Sequence, residues 1–319
     1  MTYIDVFNGD ADGICSLVQL RLATPRNAQL VTGIKRDINL LKNVEASVGD
    51  EVTVLDISMQ KNHEDLERLL LNGAEIFYAD HHNPGEQVAH PNLSAYIDVS
   101  PSVCTALIVD KYLNGQYHLW AITAAYGDNL TSVADGLSSK YGLSSKQSKV
   151  LQELGIYLNY NGYGANLDDL FYHPAALYQA CVQFSSPLEF IEQDNKVFDT
   201  LQTGYRADIL AAQSEKMFHE TTTLSALILP NETWARRVSG VYSNQLSNEN
   251  PDRAHLILTQ KHDGDYLVSI RAPLNKLAGA DEVAAQFKTG GGRKGAAGIN
   301  ALSEKDIPAL IVLMETRYS

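Results

Sequence analysis

Four short segments place carboxylates or imidazoles directly after apolar stretches. They are Asn8-Gly9-Asp10-Ala11-Asp12-Gly13, Val54-Leu55-Asp56-Ile57-Ser58, Ala79-Asp80-His81-His82 and Gly127-Asp128-Asn129. The first three follow strand-like runs, and the fourth closes an apolar helical segment. Carboxylates packed closely repel one another and take up protons. A divalent cation removes that cost, and mixed carboxylate and imidazole donors suit manganese, iron or zinc rather than calcium. Two such ions, about 3.5–4 Å apart, can acidify a water and clamp a phosphoryl group for in-line attack, with one carboxylate between them. Singly, each segment has an ordinary reading. Asp-x-Asp-Gly is a common turn or helix cap, and Asp56 or Asp128 could cap a helix. A His-His pair after a strand is often incidental. Their succession along the chain is what points to a metal centre.

Such a centre needs elements that bring the segments together. Thr2–Phe7, Gln29–Ile34, Val52–Asp56 and Glu75–Ala79 read as strands. Ile14–Leu22, Leu66–Leu71, Val103–Leu113 and Leu119–Ala125 read as helices. Strands alternating with helices predict an α/β fold with a doubly wound, mainly parallel sheet. Ligands bind such sheets beyond the carboxyl ends of the strands. The first three clusters then share one edge. The middle, Ser144 to Thr223, reads as helical, with a stop at Ser185–Pro187 and a long polar helix from Leu188 to Phe218. Ala254–Gln260 and Tyr266–Arg271 read as a strand pair around the turn His262-Asp263-Gly264-Asp265. A helix at Asp281–Phe287, a Gly-rich run over Thr289–Gly298 that reads as a loop, and a closing helix at Glu304–Met314 complete a smaller α/β domain. The expected boundaries are 1–187, a helical connector over 188–223, and 224–319.

Composition narrows the partners. The net charge of −13 over 319 residues repels a long polyanion on average and argues against a processive nuclease. It is compatible with a small anionic substrate drawn in by cations. No apolar run of membrane-spanning length occurs. The opening MTYIDVFNGD reads as a strand and an acidic motif rather than a signal peptide. Cys15, Cys104 and Cys181 sit in apolar segments without paired spacing, which predicts buried reduced thiols and a cytoplasmic setting.

Asp80-His81-His82 after a strand, preceded by Asp10-Ala11-Asp12-Gly13 and Asp56, resembles the DHH phosphoesterase superfamily. Gly290-Gly291-Gly292-Arg293-Lys294-Gly295-Ala296-Ala297-Gly298 is similar to the signature of the DHHA1 domain that accompanies it. Both ends match in order, so the resemblance covers nearly the whole chain. It implies two manganese ions, with magnesium or another divalent cation as a substitute. Asp10 would bind one ion and Asp12 the other, Asp56 would bridge them, and His81 and Asp128 would complete the second site. His82 would act on the phosphate, and Asp80 would orient an imidazole. Arg271, Gly290, Gly291, Gly292 and Arg293 would hold the substrate's phosphate or base across a cleft between the domains.

Two departures from the family pattern bear on this. Many small members carry a histidine four residues before the first motif aspartate, where this chain has Val6. Asn8 stands where the exonuclease branch has an acid, so Asn8 and water would complete the first metal site. Arg293 replaces the usual histidine of the Gly-rich motif and adds a fixed bidentate charge. That favours a 5′-phosphorylated dinucleotide, and linear diguanylate (pGpG) is the specific expectation. Competing readings are a phosphoadenosine phosphate phosphatase, a cyclic-dinucleotide phosphodiesterase, a single-strand exonuclease and a non-catalytic nucleotide sensor. The sequence leaves base preference and oligomeric state open, a homodimer included.

Overall fold

In the computed structural model, described over residues 1–86, 88–193 and 195–319, the chain divides into two compact units, Met1–Gln202 and Thr203–Ser319. The first contains β1 (Tyr3–Phe7), α1 (Ala11–Ala23), β2 (Gln29–Val31), β3 (Glu51–Leu55), α2 (His63–Leu71), β4 (Glu75–Asp80) and β5 (Leu93–Ile97). Helices follow: α3 (Thr105–Tyr112), α4 (His118–Gly127), α5 (Thr131–Lys140), α6 (Ser145–Asn161), α7 (Pro174–Cys181), α8 (Pro187–Gln193) and α9 (Asn195–Ser214). The unit boundary falls inside α9.

The five strands run in the order β2-β1-β3-β4-β5, and every pairing is parallel. Both faces are covered, as a parallel sheet requires. On one face Ile4, Val6, Val52, Val54, Ile76 and Tyr78 form a core with Leu66, Leu69 and Leu70 of α2. The other face is not wholly apolar. There Arg21 of α1 donates from Nε to Asp5 of β1 at 2.8 Å and from Nη2 to Thr53 Oγ1 of β3 at 2.8 Å. Asp5 is 1% and Arg21 6% exposed, so this ion pair locks α1 across two adjacent strands.

The order reverses direction between β1 and β3, because β2 lies outside β1 while β4 and β5 continue beyond β3. Chains leaving the carboxyl ends of β1 and β3 therefore diverge to opposite faces and leave a crevice between them. The sequence reading finds four of these strands at these places and misses β5. That strand lies at the sheet edge with Ser94, Ala95 and Tyr96 exposed, so no buried-exposed alternation marks it.

The second unit has β6 (Met217–Glu220), β7 (Leu224–Leu229), α10 (Thr233–Glu249), β8 (Ala254–Gln260), β9 (Tyr266–Arg271), α11 (Ala280–Ala284), β10 (Gly290–Gly292), β11 (Ala296–Leu302) and α12 (Ile307–Tyr318). Its sheet order is β10-β11-β9-β8-β7-β6, antiparallel except for β7 with β8. Leu256, Leu258, Val268, Ile270 and Ile299 form its core with Leu310 and Met314 of α12. The strand pair β8–β9 has the expected bounds. Two expectations are corrected. The helix read over 188–218 crosses Asp194, which lies outside the described residues, and its last turn is instead strand β6. The Gly-rich run is a β-hairpin, not an irregular loop. β10 pairs with β11, and Arg293 and Ala296 exchange backbone hydrogen bonds around Lys294-Gly295. Among the described residues no helix is long and apolar enough to cross a membrane. All three cysteines are buried free thiols.

The Asp5–Arg21 pair offers a stability test of the first unit. Arg21→Ala leaves Asp5 buried and unpaired, which should cost about 3–5 kcal/mol. Replacing both residues by leucine should recover most of that loss. Urea denaturation of the three proteins measures it, and a single variant within about 1 kcal/mol of wild type would show that the pair does not lock the helix.

Candidate metal centre

The site forms at the carboxyl edge of the parallel sheet. Asp10, immediately before α1, caps that helix: its Oδ1 accepts from the amides of Asp12 at 3.0 Å and Gly13 at 3.1 Å. Gly13 is required here, since a Cβ would run into the backbone of Asn8. Asp12, in the first turn of α1, turns to a second helix. Its Oδ2 accepts from Thr105 N at 2.8 Å and its Oδ1 from Ala106 N at 2.7 Å, the first amides of α3. A carboxylate at a helix N-terminus is stabilised by those otherwise unsatisfied donors.

Asp56 follows β3 with φ of 58°, a left-handed conformation that few residues other than glycine, Asn and Asp accept. Its Oδ1 accepts from Thr105 Oγ1 at 3.2 Å. Asp80 ends β4, and His81 and His82 follow it. The imidazole of His81 is held at Nδ1 by the carbonyl of Val103, 2.9 Å away. A carbonyl only accepts, so Nδ1 donates to it and the ring is set with Nε2 toward the carboxylates. Nε2 lies 3.4 Å from Asp56 Oδ1 and 3.8 Å from Asp12 Oδ2. His82 donates from Nδ1 to Asp80 Oδ1 at 2.6 Å and lies 3.9 Å from Asp56 Oδ1 through the same nitrogen. Asp80 is fully buried, and its Oδ2 has no hydrogen-bond partner among the described residues.

Asp128 caps the carboxyl end of α4. Gly127 lets that end pack against Ala11 and the Gly155 carbonyl, where a Cβ would clash with both. The charge of Asp128 acts on Asp10, Asp12 and Lys35. Asn8 is buried and donates from Nδ2 to the Lys35 carbonyl at 3.2 Å, with its Oδ1 unpartnered. The edge thus gathers Asp10, Asp12, Asp56, Asp80 and Asp128, as the sequence predicts. It also holds a residue that sequence reasoning misses. Lys35, in the loop after β2, donates from Nζ to Asp10 Oδ2 and to Asn159 Oδ1 of α6, the latter at 2.9 Å. The signal is topological: β2 ends at the same edge as β1, so polar residues just beyond it reach the site. Thr105 escapes for the same reason: the helix over Val103–Leu113 is legible, but only the strand order brings its first turn to this edge.

The electrostatics divide the site in two. Burial opposes ionisation of Asp10, but the charge and hydrogen bond of Lys35 hold its carboxyl below the usual range. Burial drives Asp12 up, with Asp128 and Asp10 adding to the effect and His81 and the Ala106 amide resisting it. Burial drives Asp56 well up, reinforced by Asp12 and Asp10. Burial alone would depress His82, yet the hydrogen bond and charge of Asp80 outweigh it and raise that imidazole. The Asp10 half therefore has a lysine ammonium as counter-charge, and the Asp12–Asp56 half has only the imidazoles of His81 and His82.

The donor set of that second half fits a divalent cation. Asp56, His81 and His82 each offer a ligand atom within 4.8 Å of the others. His81 Nε2 faces one oxygen each of Asp56 and Asp12, three donor atoms of the kinds that a divalent cation takes. Ligand bonds of about 2.0–2.2 Å to a shared ion separate donor atoms by about 3–4 Å. The Val103 carbonyl on Nδ1 is the kind of outer contact that fixes a metal-binding imidazole.

The remaining expected residues lie in the second unit. Arg271 donates from Nε to Asn244 Oδ1 at 2.8 Å and from Nη2 to the Gly240 carbonyl at 3.4 Å, so it packs β9 against α10. Gly290, Gly291 and Gly292 form β10, and Arg293 is exposed at the hairpin turn.

No protein-family model matches the sequence, and no curated protein does. Solved structures do match along the whole chain. The exonuclease RecJ bound to manganese is 16% identical with a TM-score of 0.63, over 99% of this chain and 90% of that one. The DHH domain of a member of a ribosomal-protein family is 13% identical with a TM-score of 0.62, over 99% and 86%. The pGpG-specific phosphodiesterase PggH from Vibrio cholerae is 12% identical with a TM-score of 0.55, over 100% and 99%. At these identities the likeness establishes the fold, that of the DHH-domain proteins.

The Asp12–Asp56 half makes a prediction about stability. Asp56→Asn keeps the left-handed backbone and the Thr105 hydrogen bond but removes one buried charge. After chelation the variant should melt a few degrees above chelated wild type. Added manganese should raise the wild-type melting temperature and leave the variant nearly unmoved. Parallel melting curves with chelator and with manganese decide it, and equal manganese shifts in both proteins would exclude Asp56 as a ligand.

Proposed function

We propose that this chain, which has the fold of the DHH-domain proteins, is a metal-dependent phosphodiesterase that cuts short 5′-phosphorylated dinucleotides, with linear diguanylate as the preferred substrate. The observation that carries the reading is the His81 imidazole. Its Nδ1 is fixed by the Val103 carbonyl, and its Nε2 is turned toward Asp12 and Asp56. In this reading Asp12, Asp56 and His81 hold a divalent cation, manganese by preference over magnesium because an imidazole is among the donors. When bound, the cation supplies charge to a phosphoryl group and acidifies a water.

The chain's own residues supply the rest. Asp80 holds His82 with Nδ1 as donor, so Nε2 is the atom offered to the phosphate. There it donates a hydrogen bond to a non-bridging oxygen or a proton to the leaving oxygen. The Thr105 hydroxyl and the first amides of α3 keep Asp56 and Asp12 from reorienting as charge builds on the substrate. Two observations support a small substrate. The likeness to the pGpG-specific enzyme spans both chains nearly end to end. The net charge of −13 disfavours a long polyanion. The likeness to RecJ favours a second reading, exonuclease action on single strands.

The test is a product assay with manganese on linear dinucleotides, cyclic dinucleotides, phosphoadenosine phosphate and a long single-stranded oligomer. Linear dinucleotides should yield mononucleotides fastest, and comparable cleavage of the oligomer would establish the exonuclease reading instead. Arg293, exposed on the hairpin turn, is the proposed reader of the 5′-phosphate, beside the Gly290–Gly292 backbone. Arg293→Ala should cost about 1.5–3 kcal/mol in kcat/KM on the phosphorylated dinucleotide and much less on the same dinucleotide without that phosphate. Equal losses on both substrates would remove Arg293 from phosphate recognition.

A further inference from the structure

The two halves of the site differ in how their charge is met, and Lys35 is the cause. Both oxygens of Asp10 are engaged: Oδ1 by the amides of Asp12 and Gly13, Oδ2 by the Lys35 ammonium. The ammonium is gripped from a second side by Asn159 Oδ1 at 2.9 Å. The Lys35 backbone is fixed as well, its N–H donating to the Gly162 carbonyl at 2.8 Å and its carbonyl accepting from Asn8 at 3.2 Å. The loop leading to it lies directly on the first motif, since a Cβ on Gly9 would run into the Gly33 carbonyl oxygen. This is a built position, held by α1, α6 and the end of β1, not a surface lysine that happens to reach inward. Val6, four residues before Asp10, is an apolar core residue and supplies no ligand to an ion there.

We propose that the Lys35 ammonium takes the place of a first metal ion at Asp10, so that the centre works with one divalent cation and one fixed side-chain charge. This rests on the reading that Asp12, Asp56 and His81 hold a divalent cation. A second cation on Asp10 would have to displace Lys35 or sit beside it against like-charge repulsion. The lysine neutralises Asp10 and faces the field of Asp128. Unlike an ion it cannot be chelated or exchanged, and its N–H groups can donate to a phosphoryl oxygen. Asn8 in this arrangement positions Lys35 through its carbonyl and is not itself a ligand.

Metal stoichiometry tests this on the intact chain. The protein is equilibrated with manganese, freed of excess ion, and its metal counted by elemental analysis. Electron paramagnetic resonance on the same samples distinguishes isolated manganese ions from exchange-coupled pairs. Wild type should hold one ion per chain with the spectrum of an isolated ion. Lys35→Ala, and the similarly sized uncharged Lys35→Met in case the smaller residue impairs folding, should open Asp10 and raise the count to two, with exchange coupling. Two coupled ions on the wild-type chain would overturn the proposal, and so would a single ion on both folded variants. No ion on the wild type would overturn it differently, by removing the cation-binding reading beneath it.

Discussion

Charge crowding at one sheet edge is the constraint around which the first unit is arranged. Asp10, Asp12, Asp56 and Asp80 are each no more than 3% exposed, and Asp128 approaches them from α4. Buried carboxylates without compensation are among the more costly features a fold can carry. The structure meets the cost with three kinds of partner. Backbone amides at the starts of α1 and α3 serve Asp10 and Asp12, a lysine serves Asp10, and an imidazole serves Asp80. Asp56 receives one hydroxyl hydrogen bond and no amide donor among the described contacts, while standing in a left-handed backbone conformation. A left-handed backbone and a carboxyl driven well up by burial at the same residue are what a site under functional rather than structural constraint looks like.

The topology explains why these residues and no others converge. In a sheet ordered β2-β1-β3-β4-β5, the crevice opens between β1 and β3, and the motifs that follow those two strands face each other across it. β4 lies next to β3 and delivers Asp80, His81 and His82 one strand farther along. β2 lies next to β1 on the other side and delivers Lys35. The charged residues are therefore laid out in spatial order along the edge, with the lysine beside Asp10 at one end and the imidazoles beside Asp56 at the other.

How much of this is legible follows from what kind of signal each part leaves. β1, β3 and β4 are buried on both faces and read as apolar runs, so their ends, and the aspartates and histidines there, can be placed from sequence. β8 and β9 can be placed because the turn between them is chemically marked. β5 has no apolar run, and β6 lies directly after a helix, where four residues of Met-Phe-His-Glu give no period of their own. β7 and α10 escape notice because the residues around them carry no chemical motif. The glycines at 290–292 read as a loop because glycine is usually a loop residue, whereas here they form an edge strand paired with β11. Lys35 and Thr105 are invisible for a deeper reason. Nothing in their local sequence distinguishes them, and only the strand order brings them to Asp10 and Asp56.

The hydrogen bonds from Thr105 and Ala106 to Asp12 join residues 93 and 94 positions apart in the chain. A contact of that separation carries a large loop-closure cost and needs β3, β4 and β5 in the sheet between its two ends. The orientation of the Asp12 carboxylate therefore depends on the assembled sheet and not on its own helix. A ligand of the finished site binds the native state and not the unfolded chain, so its binding energy adds to stability. The centre would then act as a latch on the native state, tying the start of α3 to the start of α1 through the ion they both help to hold.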